Sequence, residues 1–251
     1  MSILLETAGR AGHVCPPGFT RTGNCPLLLR TTSEDVMTAS VFGILKNLPP
    51  QKWLGTWLDQ SFCTSIFGEE PFEDLRFEFW PALDPPPGLK HREGKSRADL
   101  AIHFANTVVV CEVKFMAQLS ESTTHARKRN KLIRYADVFT QHYGRGRLFG
   151  HRLFIMTLSL DVPELVRHYQ QKSHICRDLI ENGYREDYSQ ATAEAVTFGA
   201  STWDSLTAVL ASKLDAFTEN ETELAFACDV IGYIATKVQQ ARGLSEKGAA
   251  A

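Results

Sequence analysis

Apolar residues along the chain fall into segments with helical spacing and segments with strand spacing. A helix is predicted from about Ser33 to Leu48, because the polar segment TTSED precedes an apolar stripe and Pro49-Pro50 ends it. A second amphipathic helix is predicted over about 51–62. The segment 74–81, DLRFEFWP, alternates apolar and charged residues, which is typical of a half-buried strand.

The rest of the pattern alternates strands with helices. Strands are expected at about 97–104 and 107–115, a long helix at about 124–142, and a strand buried on both faces at 152–160. The remaining segments predict a helix over 163–182, a short strand near 195–198, and helices over 202–214 and 221–242. This order predicts an α/β fold, an α/β/α sandwich around a central mixed sheet. We expect one domain over residues 31–251, preceded by an irregular arm, residues 1–30.

Composition narrows the class of protein without deciding it. The 251 residues are 43% hydrophobic and 22% charged with a net charge of −2, which is ordinary for a globular protein. Charge is distributed unevenly, since residues 127–152 contain eight Lys or Arg and one acidic residue. This segment is either a local phosphate-facing surface or a solvated helix face.

Cysteine usage and hydropathy bear on the compartment. The six cysteines are scattered without a C-x-x-C pair, which favours a reduced, cytoplasmic protein. His13, Cys15 and Cys25 could share a zinc ion, although three irregularly spaced ligands make a weak pattern. No apolar run approaches the roughly 20 residues of a membrane helix, so we expect no membrane partner.

The segment 96–115, SRADLAIHFANTVVVCEVKF, has charged residues where a hairpin would carry apolar ones. If the hairpin turns at Ala105-Asn106, Asp99 lies opposite Glu112. By the same register Arg97 lies opposite Lys114, one pleat further along. Carboxylates on opposed residues, with Cβ atoms roughly 4.5–5.5 Å apart, repel each other unless a cation lies between them. The open alternative is that this face is exposed to solvent and its charges are ordinary.

Asp99 followed by Glu112-Val113-Lys114 on the next strand resembles the PD-(D/E)XK nuclease superfamily, the restriction-endonuclease-like fold. The family often has Pro before the first acid, where this chain has Ala98. Glu34, on the helix that precedes the sheet, matches an acid that the family commonly carries. On the later helix the family tends to have Gln-x-x-x-Tyr, and here Tyr135 is present with Lys131 where Gln would stand. The resemblance covers about residues 32–160.

The resemblance implies a metal-dependent nuclease with Mg²⁺ as cofactor and Mn²⁺ as a substitute. Asp99, Glu112 and the Val113 carbonyl would bind the metal, and Glu34 would bind it directly or through water. Lys114 would position or activate the attacking water and stabilise charge on the phosphate. Glu34 can instead form a capping box with Thr31.

The implied substrate is nucleic acid, with DNA favoured over RNA, in defence against foreign DNA or in repair. Arg127, Lys128, Lys131 and Arg134 recur at helical spacing and could follow a phosphate backbone, with Tyr135 beside them. The alternatives are a solvated helix face and a core role for Tyr135. Double-strand cutting would need two sites, hence a homodimer. The alternative function is a non-catalytic nuclease-like module that binds nucleic acid or acts as a scaffold.

Overall fold

The computed structural model of the chain describes residues 34–87, 89, 93–115, 130–144, 152–178 and 195–249. Three predictions fall outside these residues: the N-terminal arm, the zinc alternative at His13, Cys15 and Cys25, and the basic residues Arg127 and Lys128. Within the described residues, none of the helices is long and apolar enough to cross a membrane.

Two helices begin the described chain close to their predicted positions. Helix α1 spans Glu34–Leu45 and helix α2 spans Leu54–Phe62. The predicted second helix is divided, because a 3₁₀ turn at Pro50–Lys52 precedes α2 and Trp53 leaves the helical conformation at φ −146°. Proline lacks a backbone N–H and fixes its own φ, so this sequence suits the start of a helix and a short turn.

Five strands form one mixed sheet in the order β1-β4-β5-β6-β7. Strand β1 pairs antiparallel with β4 and β4 with β5, whereas β5, β6 and β7 run parallel. A separate two-stranded sheet joins β2 and β3. The strands are β1 Arg76–Phe79, β2 Ala82–Leu83, β3 Ser96–Arg97, β4 Leu100–Phe104, β5 Thr107–Val113, β6 Arg152–Ser159 and β7 Val196–Thr202.

The hairpin of β4 and β5 has the predicted register. Its pairs run from Leu100 with Cys111 to Phe104 with Thr107. The predicted strand over 97–104 is wrong at its start, since β4 begins at Leu100.

Arg97 therefore does not pair with Lys114. It is exposed and pairs with Ala82 in the two-stranded sheet. The cause is a crossing of the chain between the two sheets, where the Ala98 N–H donates to the Pro81 carbonyl. The Trp80 N–H likewise donates to the Asp99 carbonyl.

The remaining helices follow the predicted order, and residues 124–129 and 179–182 of two predicted helices lie outside the described residues. The predicted helix over 163–182 is interrupted at Gln171, whose ψ of 107° is extended. The predicted short strand near 195–198 extends to Thr202, whose hydroxyl accepts from the Ser205 N–H at the start of the next helix. The helices are α3 Lys131–Gly144, α4 Glu164–Gln170, α5 Lys172–Cys176, α6 Trp203–Ser212, α7 Leu214–Phe217 and α8 Glu221–Ala249.

Helices cover both faces of the main sheet, which agrees with the predicted α/β class and is compatible with a three-layer sandwich. We call the face packed against α1, α2, α6 and α8 the aromatic face, because Trp57 and Trp203 lie in its core. Helix α2 approaches β7 so closely that a Cβ on Gly199 would lie 2.4 Å from the Phe62 ring. The opposite face, packed against α3 and α4, is called the site face.

Candidate active site

The candidate site lies where β5 ends on the site face of the sheet. Alternation along β5 turns Val108 and Val110 towards α3, and Glu112 follows them on the same face. Asp99 precedes β4 at the position that continues the register to Glu112. The other charged contributors come from the start of α1, the residue after β5 and the start of α3: Glu34, Lys114 and Lys131.

Glu112 is fully buried and both of its carboxylate oxygens accept hydrogen bonds. Its Oε1 lies 2.6 Å from Lys131 Nζ and 2.9 Å from Lys114 Nζ. Its Oε2 accepts from the Tyr135 hydroxyl at 2.6 Å. Burial alone would raise the pKa of Glu112, but Lys131 and Lys114 hold it below its ordinary value. Glu112 is therefore a buried anion that two ammonium groups stabilise.

The Lys114 ammonium lies among three oxygen atoms. Its Nζ is 2.9 Å from Glu34 Oε2, 2.9 Å from Glu112 Oε1 and 3.2 Å from the Val113 carbonyl oxygen. Burial alone would lower the pKa of Lys114, but the carboxylates of Glu112 and Glu34 raise it above its ordinary value. Lys114 therefore stays charged at neutral pH.

Asp99 is buried, and its Oδ2 accepts a hydrogen bond from the Val113 N–H at 2.8 Å. Strand β4 begins only at Leu100, so at this end of β5 the Asp99 side chain supplies the acceptor for the Val113 N–H. Burial and the neighbouring Glu112 carboxylate raise the pKa of Asp99 to about 7, although Lys131 and Lys114 act in the opposite direction. At neutral pH this carboxyl group is therefore close to half protonated.

Glu34 joins helix α1 to the end of β5. Its Oε2 accepts from Lys114 Nζ, and its Oε1 accepts from the Phe115 N–H at 3.1 Å. The alternative capping partner Thr31 lies outside the described residues. Both oxygens of Glu34 are thus directed to the segment 114–115.

Helix α3 brings two of the predicted nucleic-acid contacts to Glu112 and directs a third elsewhere. The Tyr135 ring is buried against Phe139, and its hydroxyl lies 2.7 Å from the Arg97 carbonyl as well as 2.6 Å from Glu112. Tyr135 is therefore both a core residue and a site residue. Arg134 forms an ion pair with Glu93 at 3.4 Å and donates to the Gly94 carbonyl.

Two residues that sequence reasoning missed adjoin the site. Thr157 pairs with Glu112 across β5 and β6, so its side chain lies on the same face. It is fully buried, and its hydroxyl has no hydrogen-bond partner in the part of the chain that the structure describes. The signal in the sequence is one hydroxyl residue in the apolar run LFIMTL. Trp203 Nε1 donates to the Lys114 carbonyl at 3.1 Å and fixes that backbone from the other face.

The donor set has the chemistry of a hard divalent cation, which prefers carboxylate and carbonyl oxygens. Among the described residues, however, no three His, Cys, Asp or Glu side chains form a group that could hold a metal ion as they stand. Instead, the Lys114 ammonium lies among Glu34, Glu112 and the Val113 carbonyl, the oxygens that the resemblance assigns to a metal. The residues fit a cation chemically, provided that the ammonium group moves aside.

Comparison of the chain with protein-family models, with curated proteins and with solved structures found no match. The superfamily resemblance stays a prediction that depends on the residues themselves.

Proposed function

We propose that this chain is a Mg²⁺-dependent nuclease of restriction-endonuclease-like fold that hydrolyses phosphodiester bonds in DNA. The observation that supports it best is the convergence of Glu34, Glu112 and the Val113 carbonyl on one cation, the Lys114 ammonium. Burying a carboxylate costs free energy unless a positive charge lies next to it. Two segments of the chain, the start of α1 and the end of β5, contribute these oxygen atoms to one position.

Asp99, Glu112, Glu34 and the Val113 carbonyl would hold the metal. When bound, Mg²⁺ would supply Lewis-acid stabilisation of the phosphate and a more acidic water molecule. The Tyr135 hydroxyl donates to Glu112 and the Val113 N–H donates to Asp99, which keeps both carboxylates in fixed orientations. This preorganisation lowers the cost of assembling the site around a substrate.

Lys114 acts as a positive charge and hydrogen-bond donor. Its raised pKa keeps the ammonium protonated, so it has no lone pair with which to take a proton from water. It can donate to a phosphate oxygen and stabilise the negative charge that grows there during attack. The proton of the attacking water then goes to a carboxylate or to solvent, and Glu34 is the more exposed carboxylate beside Lys114.

The test is cleavage of plasmid and single-stranded DNA by the purified chain with Mg²⁺ or Mn²⁺, and with EDTA as the blank. Asp99→Asn and Lys114→Ala should each reduce cleavage by about 10²-fold or more, while Lys237→Gln, on helix α8 of the aromatic face, should leave it unchanged. Cleavage at the wild-type rate in Asp99→Asn and Lys114→Ala would show that the site lies elsewhere. A parallel reaction on RNA decides the substrate class.

One observation favours the alternative function, a non-catalytic module that binds nucleic acid. Lys114 and Lys131 already neutralise Glu112, so the cluster is stable without any metal. Such a module would bind DNA with an affinity that falls with salt but does not respond to divalent metal. DNA binding measured with Mg²⁺ and with EDTA at equal ionic strength separates the two functions.

A further inference from the structure

Lys131 distinguishes this site from the motif that it resembles, which tends to have Gln at that position. Its Nζ lies 2.6 Å from Glu112 Oε1, the same oxygen that Lys114 contacts at 2.9 Å. Its side chain is 28% exposed, whereas that of Lys114 is 15% exposed. Lys131 is therefore the cation of this pair nearer to the solvent from which a substrate would approach.

The oxygens around Glu112 favour one position for a metal ion, the one that the Lys114 ammonium occupies. The Lys114 ammonium is bound by oxygens from Glu34, Glu112 and Val113, so a divalent cation that displaces it gains three oxygen ligands. Of the same three oxygens, the Lys131 ammonium contacts Glu112 Oε1 alone. The other oxygen of that carboxylate accepts from the Tyr135 hydroxyl. A second divalent ion that displaced Lys131 would gain one ligand, Glu112 Oε1, and would share it with the first ion.

Formal charges support the same count. Metal binding requires the carboxylates to be deprotonated. With Glu34, Asp99 and Glu112 ionised in this way and both lysines protonated, the cluster without metal carries one net negative charge. One divalent cation converts this to one net positive charge, which a single phosphodiester group neutralises. Two divalent cations would leave three net positive charges in a largely buried site, a cost that burial makes large.

We propose that Lys131 is the second positive charge of this site, so that each chain binds one divalent cation and the Lys131 ammonium contacts the substrate phosphate. The inference rests on the proposed function, since it concerns the same site. Lys131 would leave Glu112 when the metal takes over the neutralisation of that carboxylate. The freed ammonium is then within side-chain reach of a phosphate bound at the end of β5.

The test is a calorimetric titration of the full-length chain with Mn²⁺ in the absence of DNA. The wild-type chain should bind one Mn²⁺, and Asp99→Asn should lose it. Lys131→Gln should bind Mn²⁺ about tenfold more tightly, because a like charge next to a cation site shifts its occupancy by an order of magnitude or more. Lys131→Arg should keep the wild-type affinity, and Lys237→Gln is the control for a lost charge on the opposite face.

A second readout uses a labelled DNA duplex at a saturating concentration of Mn²⁺, since Lys131 is free to contact the phosphate only when the metal holds Glu112. The duplex has phosphorothioate linkages, which keep the phosphate charge and resist cleavage. The slope of log affinity against log salt should fall by about one in Lys131→Gln and stay unchanged in Lys237→Gln. Two Mn²⁺ ions that both disappear in Asp99→Asn would overturn this inference and leave the proposed function standing. Unchanged Mn²⁺ affinity and salt slope in Lys131→Gln would overturn it as well. A wild-type chain that binds no Mn²⁺ would overturn the proposed function and this inference together.

Discussion

The two faces of the sheet consist of alternate residues of the same strands, yet they have different chemistry. The aromatic face is apolar along the whole of β5 and β6, from Val109 and Phe154 to Val113 and Leu158. The site face begins apolar, with Val108 and Leu153, and becomes polar where the strands end, with Glu112 and Thr157. Ligands of parallel sheets bind at the carboxyl ends of the strands. On the site face, Glu112 and Thr157 are neighbouring polar side chains buried at such ends.

Burial has opposite effects on stability on the two faces. On the aromatic face, burial of apolar area stabilises the fold at about 25 cal/mol per Å². On the site face, burial of carboxylates costs stability, which the lysines offset in part. We expect substitutions on the aromatic face to change mainly the free energy of unfolding, and substitutions on the site face to change mainly activity.

The largest effect on stability is expected at Trp57. It is fully buried, packs on Phe42 and Trp53 with ring centroids 5.7 and 6.0 Å apart, and donates to the Ser201 hydroxyl at 2.9 Å. Trp57→Ala should lower the free energy of unfolding by about 3–5 kcal/mol. Urea denaturation measures this, with Trp57→Phe as the milder control. A loss below about 1 kcal/mol would mean that this face is not tightly packed.

On the site face, Lys114→Ala should reduce cleavage by about 10²–10³-fold. Removing one fixed donor that stabilises charge in a transition state lowers kcat by about that factor. The free energy of unfolding should fall much less than in Trp57→Ala, since Glu112 keeps Lys131 and Tyr135. Single-turnover cleavage and urea denaturation of the same preparation give both numbers. Equal losses of stability in the two variants would contradict the division between the faces.

The pH dependence of stability should carry the signature of Asp99. Its folded pKa of about 7 is above its unfolded value, so between pH 4 and 7 the unfolded chain binds fewer protons than the folded chain. The Asp99 contribution to stability is therefore fully present below pH 4 and is lost as the pH rises to about 7. The slope from this one group is at most about 1.4 kcal/mol per pH unit.

Asp99→Asn removes that group while it keeps an acceptor for the Val113 N–H. The difference in free energy of unfolding between the variant and the wild type should move in favour of the variant as the pH rises from 4 to 7. A difference that is flat over this range would show that Asp99 titrates at an ordinary pKa.

The smallest effect is expected at Thr157. A buried hydroxyl with no partner costs about 1–3 kcal/mol, so Thr157→Val should raise the free energy of unfolding by about 1 kcal/mol. Thr157→Ser keeps the hydroxyl and serves as the matched control. A drop in stability in Thr157→Val would mean that the hydroxyl has a partner in the folded protein, such as a water molecule.

Local pattern was sufficient for the hairpin and for most elements. The register of β4 and β5 follows from the two-residue connection at Ala105-Asn106 and the alternation of apolar residues, both of which are local. The start of β4 could not be predicted, because it depends on the pairing of Arg97 with Ala82 across an intervening loop. Contacts between segments that are distant along the chain produce no periodic pattern of apolar residues in the sequence.

For the site, the charged residues were predictable and their arrangement was not. Asp99, Glu112 and Lys114 follow from strand alternation, and Glu34 entered through the resemblance. Lys131 binds Glu112 rather than solvent because of the way α3 packs on β5. The spacing of residues along α3 does not determine that packing. The same is true of Arg134, which pairs with Glu93. The role of Thr157 depends on the parallel register of β5 and β6.

The proposed function requires Glu34, Asp99 and Glu112 to hold a divalent cation at the end of β5. The most direct measurement is anomalous diffraction from crystals of the full chain grown at a saturating concentration of Mn²⁺. We expect one anomalous peak within coordination distance of Glu112 and the Val113 carbonyl, with the Lys114 ammonium displaced from its present position. A crystal with saturating Mn²⁺, no peak at this site and Lys114 still bound to Glu112 would contradict it.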